Sequence, residues 1–370
     1  MKTKLFVTGI IFSALLGCGA AGSSSLKEAW NAQNAPIQLS GDYVVGLQQL
    51  PASGTTQIQP WSDTYWPTYR GGIAQRWRDG EDGFTYTTPT LAELQAMTPA
   101  VLSALSPAEK FDIFIGRLDY ALVAYERQRT NPQAPGWEGI CHGWAPAAIN
   151  FAEPKSVMLT SVNGVQIPFG ASDVKALLSY YQGVMSNATF RMLGERCNVD
   201  ISNLSPAEIP QECRDTNAGA FHVVLANQLG IKKQAFVADV TRDQEVWNQP
   251  VHSFSTQVQS ENSPSVGAAA GTVRELTMLT RMEYTVEVSP QWSALVGTSG
   301  NHSSTRIYNY RIELDARDNV IGGAWLSDSE DRPDFLWTRE TPAFSGYFER
   351  LSEIFAASVA SPGIADPRIN

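Results

Sequence analysis

Trp137-Glu138-Gly139-Ile140-Cys141-His142-Gly143-Trp144-Ala145-Pro146-Ala147-Ala148 is the stretch on which the reading of this chain turns. A glycine-bearing loop runs into a cysteine, and the cysteine opens an alanine-rich helix. The position suits a thiolate nucleophile. A helix N-terminus favours the anion through its dipole, and its free N–H groups can hold an oxyanion. Pro146 falls in the first turns, where its missing N–H does least harm. The bland alternative is a buried structural cysteine, which behaves as a small apolar side chain. Flanking Trp137 and Trp144, together with candidate partners downstream, favour the nucleophile.

A nucleophilic cysteine needs an imidazole to take its proton and a third group to orient that ring. The chain has four histidines. His142 adjoins Cys141 and points around the helix from it. His302 sits in the turn Ser299-Gly300-Asn301-His302-Ser303, and His252 follows a motif taken up below. His222 is followed 17 residues later by Asp239, which ends the apolar run Ala235-Phe236-Val237-Ala238. A carboxylate there is costly unless it serves a partner. Cys141, His222 and Asp239 therefore make the expected triad, in the chain order of papain-like thiol enzymes. Trp137 would help at the oxyanion, and Trp144 and Trp247 would wall the groove.

Periodicity gives the frame. Ser106-Pro107-Ala108-Glu109 is a capping box, and apolar residues from Phe111 to Tyr125 recur at helical spacing, so one helix is expected over 106–129. Ser172-Asp173 caps a second helix, and Asn217 to Gly230 reads as a third. Ala235 to Val240 is a buried strand. Alternating segments near 274–288 and 305–314 lead through the turn Asp315 to Asn319 into 320–326. A closing helix is expected over 344–357. Helices first and an antiparallel sheet afterwards make an α+β fold. The expectation is a papain-like cysteine-enzyme core, its Cys-bearing helix packed on that sheet, with an N-terminal helical extension.

The N-terminus gives an address. Lys2 and Lys4 precede an apolar run from Leu5 to Leu16, which is 12 residues and too short to span a bilayer. Leu15-Leu16-Gly17-Cys18 resembles a lipobox. The expected division is a signal peptide over 1–17, an anchor-proximal linker over 18–60, a catalytic domain over 61–358 and a tail over 359–370. Cys18 would carry a lipid, and the chain would be an exported lipoprotein of the outer membrane or cell surface. Cys197 and Cys213, 16 residues apart, would pair in an oxidising compartment, which leaves Cys141 free. The 370 residues carry 27 Lys plus Arg against 37 Asp plus Glu, a net charge of -10. No basic run is present, so nucleic acid is not an expected partner. No motif fits a metal site; Asp328, Glu330 and Asp331 are read as a solvated acidic turn in preference to a calcium site.

One further motif carries a resemblance. Val246-Trp247-Asn248-Gln249-Pro250-Val251, with Gly139 to Pro146, resembles the transglutaminase elicitor family of secreted oomycete and marine-bacterial enzymes. The resemblance implies a protein-glutamine gamma-glutamyltransferase, dependent on calcium, with Cys141 as nucleophile. Its partners would be proteins offering Gln and Lys side chains. After Val251 this chain has His252-Ser253-Phe254 where the family peptide carries a basic residue and glycine, so host recognition through the segment is not implied. Two other readings stand beside it. One is a papain-like cysteine peptidase or amidase of the envelope or of host proteins. The other is a lipid-anchored binding or adhesion protein with an inactive thiol-enzyme fold.

Overall fold

Helix starts are where the sequence speaks most directly. Thr90 and Glu93 form a capping box on α1 (Leu91–Ala96), Thr98 caps α2 (Pro99–Ser103), and Ser106 with Glu109 caps α3 (Pro107–Phe114). The helix expected over 106–129 is two. Gly116 and Tyr120 take positive φ, and α4 (Ala121–Arg129) restarts after them. The buried Asp112 carboxylate accepts from the N–H groups of Leu122 and Val123, so it caps the second helix and makes the corner. The apolar repeat runs on through the break because Phe111, Phe114, Leu122 and Val123 face one core. Then follow α5 (Cys141–Asn150), α6 (Ala171–Tyr180), α7 (Ala218–Leu225) and α8 (Leu351–Ala360). Asn217 caps α7 through its side-chain oxygen, and both α6 and α7 loosen into a final wide turn.

The computed structural model describes residues 28–369 except 202, 205–207, 211–212, 214–215, 242–243 and 327–331. The expected signal segment, Cys18 and the acidic residues Asp328, Glu330 and Asp331 lie outside the described residues. The strands are β1 (Ser53–Thr55), β2 (Val157–Thr160), β3 (Gln166–Phe169), β4 (Phe190–Gly194) and β5 (Phe236–Asp239). There follow β6 (Asn248–Asn262), β7 (Arg274–Thr285), β8 (Ser303–Leu314), β9 (Val320–Trp325) and β10 (Phe335–Arg339). Eight of them make an antiparallel sheet ordered β4-β10-β5-β6-β7-β8-β9, with β1 paired to β6; β2 and β3 form a small hairpin sheet. β4 and β10 lack a legible alternation and escape the sequence reading.

The sheet divides two cores. Side chains alternate across it: Val237 and Trp337 look to one core, Phe236, Ala238 and Leu336 to the other. α5 and α6 belong to the first face, and α7 packs across β8 and β9 on the second. The chain is thus a mixed helix and antiparallel-sheet fold. The expected linker does not hang free where it is described. Ala29 bridges to Gly322, the Asn227 side chain pairs with Val44 at both its N–H and C=O, and β1 adds to the sheet. The C-terminal tail is also held: Trp292 donates to the Ile364 carbonyl, and Arg78 pairs with Asp366. Cys197 and Cys213 are joined as expected, with their Cα atoms 4.4 Å apart; both are buried, while the described residues between them are exposed or half-buried. Among the described residues, no helix is long and apolar enough to cross a membrane.

Candidate active site

Cys141 is the first residue of α5, and two close approaches put it there. The Ile140 N–H donates to the Tyr65 carbonyl at 2.7 Å. A Cβ on Gly139 would lie 2.4 Å from that same oxygen, so only glycine lets the loop come in. One turn on, a Cβ on Gly143 would lie 2.1 Å from the Ser179 carbonyl, which seats α5 hard against α6. The aromatic cluster from Trp61 to Trp66 packs against the body. Trp61 donates to the Phe151 carbonyl and the Tyr65 hydroxyl to the Gly136 carbonyl.

The motif strand covers the thiol. Cys141 Sγ lies 3.4 Å from the Val246 carbonyl and accepts from the Asn248 amide at 3.6 Å. Asn248 is held from behind by the Trp337 indole, which donates to its side-chain oxygen at 2.8 Å. Asp239 lies opposite Asn248 in the β5–β6 register, and its Oδ1 accepts from the Trp247 N–H at 3.0 Å and from Thr241. The Trp247 ring meets Tyr65 edge-on, with centroids 5.7 Å apart. Asn248 to Val251 are all buried, while Val246 and Trp247 are half-buried.

Burial works against the acidifying effect expected of the helix N-terminus. Burial pushes the Cys141 thiol up to about 11, against the pull of the Asn248 amide and N–H, and the charges of Glu287 and Asp239 push it further. Desolvation of the thiolate is the largest of these effects. Glu287 is held above the usual carboxylate range by burial, although the Gln249 amide donates to both its oxygens at 2.9 Å.

The expected triad does not assemble. The structure brings Asp239 to the Cys141 side and leaves His222 on the far face of the sheet. There His222 Nδ1 is 2.9 Å from the Tyr310 hydroxyl, and that hydroxyl bonds to Thr280 on the second core. Burial alone drops His222 to about 4, with no charged neighbour. The reason lies in α7, whose apolar residues surround the His222 position on all sides, so the sheet face it chose was not written in its period. Among the described residues, none of the four histidines hydrogen-bonds to Cys141. His142 faces Arg129, Arg339 and Arg196 and is lowered to about 4, chiefly by burial. His252 pairs with Ser303. Of the expected walls, Trp247 stands beside the thiol strand, Trp137 is half-buried in the loop before it, and Trp144 is wholly in the core. Asn248 and Gln249 were named only as part of the motif, without a role at the thiol, and Tyr65 and Glu287 were missed as site residues. No local signal marked Glu287. A cavity of about 780 Å³ opens at the other end of α5, between Pro60, Asn150, Lys233 and Arg339, and Cys141 does not line it.

Sequence and fold comparisons centre on the same region. The family described as Transglutaminase elicitor matches residues 123–347, a span that contains Cys141, Asp239, Glu287 and the 246–251 strand. The chain belongs to the transglutaminase elicitor family. The resemblance read from Gly139–Pro146 and Val246–Val251 is thereby borne out. The crystal structure of the GP42 transglutaminase from Phytophthora sojae is similar over 90% of this chain and 99% of that one, with a TM-score of 0.65 and 23% identity. At that identity the likeness is one of fold. No curated protein matches the chain in sequence. In this transglutaminase elicitor family member, the family motif is the strand that lies over the thiol.

Proposed function

We propose that this chain is a Cys141-dependent acyltransferase that joins protein glutamine to lysine or another primary amine. The observation that carries the reading is a free cysteine opening a helix beneath the family motif, with the Asn248 amide donating to its sulfur. Family membership and the fold support it. A papain-like relation, by which a Cys-bearing helix meets an antiparallel sheet, is part of the same proposal.

In the first half-reaction the Cys141 sulfur attacks the glutamine carboxamide carbon. The C–N bond breaks, and ammonia leaves with the proton that the thiol gives up. In the second half the amine attacks the thioester, the C–S bond breaks, and the sulfur recovers a proton. The role first given to His222 passes to Glu287, whose raised pKa brings it nearer to the neutral range a proton carrier needs. Asp239 acts as a positioning residue, since its Oδ1 anchors the Trp247 N–H and so the strand over the sulfur. The first N–H groups of α5 and the Asn248 amide supply the oxyanion donors. Tyr65 and Trp247 exclude water, which favours an amine over hydrolysis. Export with a lipid anchor at Cys18 belongs to this proposal, and the disulfide is compatible with it.

The test is incubation with a glutamine-containing protein and a labelled primary amine. Incorporation with ammonia release is expected, and Cys141→Ser should lose both. Cleavage of the protein without incorporation would make the chain a peptidase. Incorporation that survives in the Cys141→Ser variant would remove the thiol from the mechanism altogether.

A further inference from the structure

At the end of the sheet where β7, β8 and β9 meet the N-terminal segment, three glutamates converge. Oxygens of Glu28, Glu275 and Glu313 all lie within 4.8 Å of one another. Glu275 and Glu313 stand directly opposite on β7 and β8, and both are buried. Like charges directly opposed across a strand pair repel, and burial strengthens the repulsion. One cation meets them: Arg311 donates to both oxygens of Glu28 at 3.0 and 3.1 Å and comes within 3.7 Å of Glu275. Three carboxyl groups thus meet a single guanidinium among the described residues. Two backbone N–H groups also point in, Ser265 to Glu275 at 2.7 Å and Ala269 to Glu313 at 2.8 Å. These come from the loop that carries the Gly267-Ala268-Ala269-Ala270-Gly271 run, a feature the thiol chemistry does not use.

A second observation points to a ligand. Glu313 is wholly buried, and among the described residues no donor reaches its other oxygen, Oε1. A buried carboxyl oxygen without a donor, packed among other carboxyl groups, is a costly arrangement. It is the arrangement that a hard cation with oxygen ligands completes. We infer that Glu28, Glu275 and Glu313 form a divalent-cation site of the calcium or magnesium class. The bound ion pins the N-terminal segment, through Glu28, to the β7–β8 edge of the sheet. Its role is structural, since the carboxylates belong to the sheet end and none of them is among the groups that act on Cys141.

The experiment uses the full chain carrying Cys141→Ser, so that acyl transfer has no part in the readout. The protein is stripped with chelator and titrated calorimetrically with Ca²⁺ and, separately, Mg²⁺. The result expected is one saturable site and a thermal midpoint raised by several degrees at saturation, with Glu313→Gln and Glu275→Gln each weakening binding at least tenfold. Gln keeps the shape, and circular dichroism confirms that each variant is folded. Absence of saturable binding by the parent, or unchanged affinity in both variants, overturns the inference. So does a Glu313→Gln protein that is more stable than the parent in cation-free buffer while neither responds to cation, because Glu28 and Glu313 would then be sharing a proton.

Discussion

A thiol held at about 11 by burial is almost wholly protonated at pH 7, about one part in ten thousand being thiolate. Alkylation of native Cys141 by iodoacetamide should therefore be slow at pH 7 and rise about tenfold per pH unit until near 11. The denatured chain, with an ordinary thiol, should react more than about 100-fold faster at pH 7; equal rates would contradict the buried, carboxylate-flanked thiol. The second prediction concerns His222. Its folded value of about 4 lies below the ordinary 6.5, so its contribution to stability is present above about 6.5 and is lost as pH falls toward 4. Replacing it by Gln should flatten that acid limb in urea titrations and cost about 1 kcal/mol at pH 7 through the lost Tyr310 bond. Amine incorporation should stay within a few-fold of the parent, and a loss above a hundredfold would return His222 to the chemistry. At this scale the nucleophile was legible in Gly139-Ile140-Cys141, because both glycine and helix start are local. Its partners were not, since Asn248 meets the thiol only through the pairing of distant strands.

Elements were legible where they carry their own punctuation. Ser106 with Glu109 and Asn217 announced helix starts that the structure keeps. The break between α3 and α4 hid because its signal, Asp112 capping Leu122 and Val123, looks like one more polar residue in a helix. The side of the sheet on which α7 lies was equally hidden, since a helix apolar all round fits either face. The seat of α5 yields a prediction of its own. Gly143→Ala places a methyl against the Ser179 carbonyl, with Gly183 also in its way. It should cost about 1–3 kcal/mol by overpacking, read as a lower denaturant midpoint, and should lower amine incorporation further as Cys141 shifts. Full stability in that variant would mean that the two helices do not meet as closely as drawn.

For the whole molecule, the disulfide and the two-sided core decide what holds together. Reducing Cys197–Cys213 in the folded chain should lower stability by about 3 kcal/mol, since it frees a loop of 16 residues. A shift in unfolding midpoint under reductant, absent from a Cys197→Ser/Cys213→Ser protein, is the expected result. Composition foretold a real core, and the two-residue alternation of β7 and β8 foretold a sheet. Nothing local foretold that residues 28–60 would be laid across the body, because a short strand such as Ser53-Gly54-Thr55 has no period of its own.

That same N-terminal stretch gives the molecule a mechanical grain. Tension applied at residue 28 loads first the Glu28–Gly267 and Gly323–Glu28 bonds at the sheet end. It passes next to the Ala29–Gly322 bridge and the Val44–Asn227 pair, then to the three residues of β1 zipped to β6 and the chain leading into Trp61 and Tyr65. The last link in this line is the Tyr65 carbonyl that holds Ile140, one residue before the nucleophile. A pull or a protease cut in this stretch would thus be felt at the sulfur only after every earlier stitch had given way. The chain carries its reactive cysteine at the far end of its own seam.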